Sequence, residues 1–257
     1  METGTVTYGS LCYLLVLLVP IIAINLKLKI FINKKLVWAV FRMVVQLSLV
    51  GLFLKFVFEL DNPLINVAYV CCMILVAAIS GIKSCDMGGA RLFFPILVAF
   101  ALPSLSMLVF FNMFVADLDH LLNARHTIPI AGMLLGNSLS SIIIGVNTFY
   151  KGVRNNRKEY LYSLSLSNAR VEALMPYFRK GLLAVANPML AGMETIGLVA
   201  LPGMMTGQIL GGALPMTAIK YQIAIMLAIF MVQYLAVIVA IVLTSMRTFD
   251  SYDQLIA

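Results

Sequence analysis

Long apolar runs alternate with short polar segments along the whole chain. Seven of these runs have membrane-spanning length, about twenty residues each. They lie at 8–26, 36–58, 64–82, 92–115, 127–149, 182–201 and 218–244. A spanning segment must satisfy its backbone hydrogen bonds internally, and the two-residue alternation of a β-barrel strand is missing, so each run predicts a helix. Pro188 and several glycines make the sixth run the most interrupted.

Composition agrees with a membrane protein. Of the 257 residues, 62% are hydrophobic and only 11% are charged, and the mean hydropathy is +1.00. Such a chain cannot cover a soluble domain with polar surface. The net charge of +7 does not indicate nucleic-acid binding, because the basic residues separate apolar runs and form no stripe with interleaved aromatics. The predicted fold is a single all-α integral membrane domain over residues 1–257.

The basic residues predict the orientation of the helices. Fourteen of the eighteen Lys and Arg follow the first, third, fifth and last runs. The positive-inside rule therefore predicts an N-terminus outside and a C-terminus in the cytoplasm of a plasma or bacterial inner membrane. The first run is too long for the apolar region of a cleavable signal peptide and lacks a basic lead, so we expect it to remain as a span.

Catalytic signatures are missing from the sequence. It contains no G-x-x-x-x-G-K-[ST] nucleotide loop, no H-E-x-x-H zinc helix and no G-x-S-x-G elbow. Cys12, Cys71, Cys72 and Cys85 have no zinc-binding spacing and are interpreted as small hydrophobic residues. We therefore expect no enzyme and no cofactor in this chain, and any ATP that drives it must bind a partner.

Three segments carry long ordered motifs. Arg42 and Gln46 lie one turn apart on the predicted second helix and share a face. The fifth run contains IPIAGMLLGNS at 128–138. The exit of the sixth run reads TIGLVALPGMMTG at 195–207, followed by AIKYQI at 218–223. Together these motifs resemble the iron-export permease FetB family, whose plant relatives are membrane subunits of aluminium-tolerance half-transporters, from about residue 36 to 245.

The resemblance implies the membrane subunit of an ABC transporter. Such a permease pairs with a separate ATPase that binds ATP and Mg²⁺, with two permeases and two ATPases in the assembly. The resemblance also implies a cytoplasmic coupling helix that sits in a groove of the ATPase. The basic loop at about 150–181 is the candidate, and its alternative is a solvated loop at the lipid headgroups.

Within this loop the residues predict a short helix that Ser167 or Asn168 caps. Glu172 falls in its first turn, and Arg179 and Lys180 at its end complement the helix dipole. The residues expected to contact the ATPase are Ser167, Asn168, Ala169, Arg170, Glu172 and Ala173.

A second set of residues is predicted to line a translocation path or to pack helices together. Gly132, Gly136 and Ser140 recur every four residues and favour a close helix contact, whereas Asn137 could face the path. The segment from Pro202 cannot continue a helix and predicts a broken or re-entrant stretch near the outer surface. Its methionines could hold a metal or simply fill space. The full set is Arg42, Gln46, Gly132, Gly136, Asn137, Pro202, Gly203, Met204, Met205 and Lys220.

Glu194 is the acidic residue that falls inside a predicted span. A carboxylate at mid-membrane costs about 2.5–3.5 kcal/mol on insertion scales, so it needs a partner or a purpose. It could bind a cation, pair with Arg42 or Lys220, or reach an interface.

A weaker candidate cation site, explained equally well as an ordinary loop, comprises Asp117, Asp119, His120 and His126.

The function predicted from this reading is a permease that exports iron or another metal with ATP hydrolysed by a partner. A sugar nucleotide remains open as substrate. The alternative is a secondary transporter or channel in which Arg42, Lys55, Glu194 and Lys220 form the charge pathway. An odd number of spans without an inverted repeat counts against it. A structural or regulatory subunit that moves nothing is the third possibility.

Overall fold

A computed structural model describes residues 9, 13, 16–60, 62–85, 90–115, 123–167, 169–250 and 255. These residues are almost entirely helical, and the strand-like contacts among them are two isolated bridges, Ile196 with Ala200 and Phe249 with Leu255. The chain divides into two compact units, Met1–Leu60 and Asp61–Ala257. The all-helical prediction is confirmed for the described residues, and the single permease domain stays a prediction.

The first unit contains helices α1, Leu18–Lys27, and α2, Asn33–Leu60. The turn between them places Lys29 in the left-handed region at a φ of 55°. The Asn25 side-chain amide donates to Asn33 Oδ1 at 2.9 Å, which ties the end of α1 to the start of α2. Helix α2 carries Arg42 and Gln46 one turn apart, as predicted.

The described residues of the second unit form seven further α-helices. They are α3, Pro63–Ser84; α4, Phe93–Phe110; α5, Ala124–Asn155; α6, Arg157–Ser167; α7, Arg170–Thr195; α8, Gly203–Leu210; and α9, Pro215–Thr248. A 3₁₀ turn, Ala90–Leu92, precedes α4, and a π-helical turn, Phe111–Val115, extends it. Asparagine side chains cap the starts of α3 and α5. The Asn62 side chain accepts a hydrogen bond from the Leu64 amide, and the Asn123 side chain accepts one from the Arg125 amide, both at 3.0 Å.

Five described helices are long and apolar enough to cross a membrane. They are α2, α3, α4 with its π-helical extension, α5 and α9. The predicted run at 8–26 coincides with described helix only over Leu18–Lys27, which has 10 residues. The predicted span at 182–201 is wrong in its bounds, because α7 starts at Arg170 and stops at Thr195.

Glycines allow three long helices of the second unit to approach closely. A Cβ added at Gly145 of α5 would lie 2.5 Å from Val237 Cγ1 of α9, and one at Gly181 of α7 would lie 3.0 Å from the Gly145 carbonyl oxygen. By contrast, a Cβ at Gly136 would meet nothing within 4 Å. Gly145 lies five residues, about one and a half turns, past Ser140, so this close contact falls beyond the predicted Gly132, Gly136 and Ser140 series.

Helix directions bring several helix ends together. Asn147 of α5 donates to the Ser84 carbonyl at the end of α3, at 3.4 Å. The Tyr150 hydroxyl donates to Thr244 Oγ1 near the end of α9, at 2.9 Å. We call this the packed end: the carboxyl ends of α3, α5 and α9 with the amino half of α7. The open end comprises the amino ends of α5 and α9 with the residues from 193 to 214.

Candidate functional site

The open end is built around an interruption between α7 and α9. Helix α7 stops where Ile196 turns extended and Gly197 takes a φ of +86°, a left-handed conformation that favours glycine. Pro202 then precedes the short α8, and Gly212 at a φ of +92° leads to Pro215 at the start of α9. The prediction that this segment cannot form one continuous helix is confirmed.

A cavity of about 480 Å³ lies beside this interruption. Its walls come from the end of α7, the 196–202 segment, α8 and the first turns of α9. We call it the methionine cavity, after Met193, Met205 and Met226, which line it together with Gln222. Gln222 is only 6% exposed, and its Oε1 has no hydrogen-bond partner among the described residues. The cavity therefore has a largely apolar wall, and one buried acceptor beside it lacks a hydrogen-bond partner among the residues that the structure describes.

A smaller cavity of about 280 Å³ lies where α8 meets the start of α5. Its polar lining includes Arg125, His126, Gln208, Thr217 and Tyr221. His126 Nδ1 is buried there and finds no hydrogen-bond partner in the described part of the chain. Met204 lines this second cavity whereas Met205 lines the methionine cavity, so α8 presents neighbouring methionines to two different spaces.

The predicted metal ligands do not form a cluster among the described residues. No group of three or more His, Cys, Asp or Glu that could hold a metal occurs there. Glu194 lies exposed in the last turn of α7 and is not buried in an ion pair. Asp117, Asp119 and His120 lie outside the described residues. The cation roles of Glu194 and of this loop stay predictions.

Other predicted path residues are distributed over several elements. Lys220 is exposed on α9, and Asn137 is half-buried on α5. The Asn137 amide donates to the carbonyl of Met133, one turn earlier, at 2.8 Å. Pro202 and Gly203 form the junction into α8. Sequence reasoning missed Met193, Gln222 and Met226, for which the only available signal is the one-turn spacing of Gln222 and Met226 on α9.

The predicted coupling region differs from the expected loop and short helix. Residues 157–167 form α6, and α7 runs without interruption from Arg170. Ala169 holds the N-cap position of α7 without a side-chain cap bond. Ser167 does not cap α7, because it ends α6 and its hydroxyl donates to the Ser163 carbonyl at 2.9 Å. Asn168 lies outside the described residues.

The α6–α7 hairpin has an inner and an outer face. On the inner face Ala173 and Tyr177 are buried, and a Cβ at Gly152 would lie 3.1 Å from Tyr177 Cδ1. Burial, with a smaller contribution from the Glu159 carboxylate, raises the pKa of the Tyr177 hydroxyl. Glu172 is exposed on the outer face, whereas Ala173 is unavailable to a partner.

The outer face of this hairpin also carries apolar side chains that sequence reasoning missed. Tyr162, Leu166 and Val171 are 66%, 70% and 69% exposed, on either side of the connection from α6 to α7. Arg157 and Lys158 begin the same hairpin. A group of apolar side chains this exposed is typical of a contact surface.

Comparisons with known proteins cover nearly the whole chain. The model of a family described as "Uncharacterised protein family (UPF0014)" matches residues 8–249. The chain is 30% identical to "Probable iron export permease protein FetB" of Escherichia coli, over 100% of this chain and 97% of that protein. It is 29% identical to "UPF0014 membrane protein YjkA" of Bacillus subtilis, over 96% and 98%. It is 30% identical to "Protein ALUMINUM SENSITIVE 3" of Arabidopsis thaliana, over 75% and 69%. No solved structure matches this chain.

Proposed function

Because the chain belongs to the UPF0014 family of membrane proteins, we propose that it is the permease subunit of an ABC transporter that works with a separate ATPase. The resemblance expected from the motifs is thereby confirmed at the level of the family. An iron export permease is the printed description of one relative, and iron or another metal is the proposed cargo here. In the proposed assembly two copies of this chain pair with two ATPases.

The outer face of the α6–α7 hairpin is the observation that carries this proposal. Tyr162, Leu166 and Val171 form an exposed apolar group that follows the last turn of a candidate span. Apolar side chains together with the basic Arg157 and Lys158 suit the lipid headgroup region as well as a groove of a soluble partner. Membership of a permease family favours the partner. The hairpin therefore suits a contact with an ATPase better than a contact with lipid tails.

Helix α7 supplies the proposed mechanical connection. It is continuous from Arg170 beside the outer face to Met193 beside the methionine cavity. Its middle is held against α5 at Gly181, where the two backbones nearly touch. Pro176 and Pro188 each remove a backbone hydrogen bond within α7, so the helix bends most easily on either side of its support at Gly181. A shift at the ATPase contact is therefore expected to reshape the cavity through these bends.

The proposed topology completes this assignment. We propose seven spans, an outside N-terminus and a cytoplasmic C-terminus. The directions of α3, α5 and α9, which gather Lys83, Arg154 and Arg247 at the packed end, support the cytoplasmic C-terminus. Under the positive-inside rule that end faces the cytoplasm, where an ATPase is available. The open end then faces the side to which an exporter releases its cargo.

A copurification experiment tests the proposal. The chain is expressed with a candidate ABC ATPase, and recovery of the ATPase on the tagged permease is measured for the native chain and for a Leu166→Glu, Val171→Glu double variant. We expect the double variant to reach the membrane normally and to lose most of the ATPase, because two carboxylates replace the apolar contact. Leu198→Glu is the matched control, since Leu198 is 87% exposed at the opposite end.

Two results would contradict the proposal. One is full ATPase recovery with the double variant, which would move the contact to another surface. The other is cargo transport by the reconstituted chain that depends on an ion gradient and proceeds without any ATPase, which would favour the secondary transporter.

A further inference from the structure

We infer that the methionine cavity binds a soft monovalent cation, Cu(I) or Ag(I), through the thioethers of Met193, Met205 and Met226 and the amide oxygen of Gln222. The inference deepens the proposed transport function, and its meaning for transport rests on that function. The binding itself depends only on the residues around the cavity.

The first observation is the buried amide of Gln222. Leaving a buried polar group without a partner destabilises the folded chain. Gln222 is 6% exposed and its Oε1 is unpartnered among the described residues, yet it borders a space that a ligand can enter. The oxygen itself has almost no accessible surface, so the side chain must rotate toward the cavity for a bound cation to satisfy it. Met226 lies one turn further along α9 and lines the same space, so the two side chains share a helix face.

The second observation is the convergence of three thioethers from three elements. Met193 comes from the end of α7, Met205 from α8 and Met226 from α9, and all three are half-buried. Methionines that serve as filler occupy the gaps of a core. These three instead border empty space of about 480 Å³. Their position, rather than the abundance of 16 methionines in the chain, distinguishes them.

The charge and chemical type of the residues that line the cavity determine which class of cation it can bind. The described residues that line it carry no carboxylate, thiol or imidazole. The cost of placing an ion in an apolar site grows with the square of its charge, so a neutral ligand set tolerates a monovalent ion far better than a divalent one. Thioether sulfur is a soft ligand that selects Cu(I), whereas Mg²⁺, Ca²⁺ and Mn²⁺ prefer oxygen and Zn²⁺ favours imidazole or thiolate. The cavity therefore fits a soft monovalent cation.

Methyl NMR of the native chain provides the direct test. The purified protein, with ¹³C-methyl methionine and in detergent without chloride, is titrated with silver nitrate, because Ag(I) is not oxidised or reduced under these conditions. The four cysteines take up Ag(I) first, because thiols bind it more tightly than thioethers do. Once they are saturated, we expect one further equivalent to shift the methyl signals of Met193, Met205 and Met226. The signal of Met216, which is 65% exposed on the first turn of α9, should stay in place. Silver that binds the cysteines does not imitate this result, since only coordinated thioethers move their own methyl signals.

Substitutions measure the contribution of each ligand. We expect Met205→Leu and Gln222→Leu each to weaken Ag(I) binding at this site at least about tenfold, the loss of one good ligand interaction. Met216→Leu should keep the native affinity. Zn(II) at the same concentration should shift none of the three signals. The inference is overturned if none of the three methyl signals moves with Ag(I), if Zn(II) moves them equally, or if the substitutions leave the affinity unchanged.

The result separates this inference from the proposed function. A native chain that recovers its ATPase but shows no thioether shift overturns the cation site alone. A chain that binds Ag(I) as described but never recovers an ATPase overturns the ABC assignment alone.

Discussion

The two ends of the second unit use similar residue types in opposite ways. At the packed end the Tyr150 hydroxyl lies 2.9 Å from the hydroxyls of both Thr244 and Thr248, and glycines bring the helices close together. At the open end the helices are interrupted, and Gln222 Oε1 and His126 Nδ1 stay unpartnered among the described residues. The packed end satisfies these polar groups internally, whereas the open end leaves two of them unpartnered within the described chain, in side chains that line cavities.

This difference indicates that the two ends of the helix bundle have different roles. A region with satisfied hydrogen bonds and close helix packing transmits movement without deforming. A region with buried unpartnered groups gives up stability and gains places where a ligand can bind. The proposed partner contact lies next to the first region, and the proposed cargo site lies in the second.

The largest expected effect concerns the sides of the membrane on which the two ends lie. Single cysteines at Asn155, at the end of α5, and at Leu198, at the open end, are introduced into a chain whose four native cysteines are alanine. An impermeant maleimide should label Leu198→Cys in intact cells and should label Asn155→Cys only after permeabilisation. Equal labelling of both in intact cells would disprove the proposed orientation.

Breaking the glycine contact should produce the next largest effect. Gly145→Val places a Cβ where Val237 already lies 2.5 Å away, so the helices must separate. Overpacking of this kind costs about 1–3 kcal/mol, and more where a backbone must shift. We expect a clear fall in the Tm of the purified chain. Gly136→Val on the same helix is the control, because nothing lies within 4 Å of its added Cβ. A similar fall in the Tm of both variants would show that the effect of valine on stability does not depend on its position along α5.

Replacing one buried polar residue at each end tests the comparison of the packed and open ends further. Gln222→Leu removes an unpartnered buried amide and should leave stability unchanged or raise it by about 1 kcal/mol. Tyr150→Phe removes satisfied hydrogen bonds and should lower stability by about 1 kcal/mol. The loss stays moderate because Thr244 also donates to its own helix at 2.6 Å. Tm measured for both variants checks the opposite signs, and equal destabilisation would remove the distinction between the two ends.

The smallest effect on stability is expected for Glu194→Gln. Glu194 is exposed at the end of α7, and surface substitutions usually change stability by less than about 0.5 kcal/mol. If the carboxylate receives a cation, cargo-stimulated ATP hydrolysis should still fall in the assembled complex. Full stimulation at unchanged Tm would argue against a cation role. A large drop in Tm would instead show that the Glu194 carboxylate contributes to stability.

Much of the fold could be predicted from the sequence. The apolar runs located all five candidate spans, because backbone groups in lipid must be hydrogen-bonded within a helix. Pro202 and its neighbouring glycines located the interruption after α7. The coupling region was predicted less well. Its charged residues lower the hydropathy and suggested a loop, but burial of Ala173 and Tyr177 against the bundle stabilises α7 as one continuous helix.

The candidate site could be predicted only in part. Met205 and Pro202 were identified from their motif, and both line the methionine cavity. Met193 and Met226 were missed because the chain has sixteen methionines, and the sequence does not show which of them line the same cavity. Glu194 was chosen for its charge, yet it is exposed in the structure.

The sequence by itself determined that this is a helical membrane protein, which family it resembles and where its helices must break. Hydropathy, proline and glycine act over a few residues, so a linear pattern contains them. Only the tertiary structure decided that Gly145 and Gly181, rather than Gly136, make the close contact, and that Gln222 faces a cavity. Those outcomes depend on side chains supplied by distant segments, such as Val237 against Gly145, and no spacing along one helix reveals them.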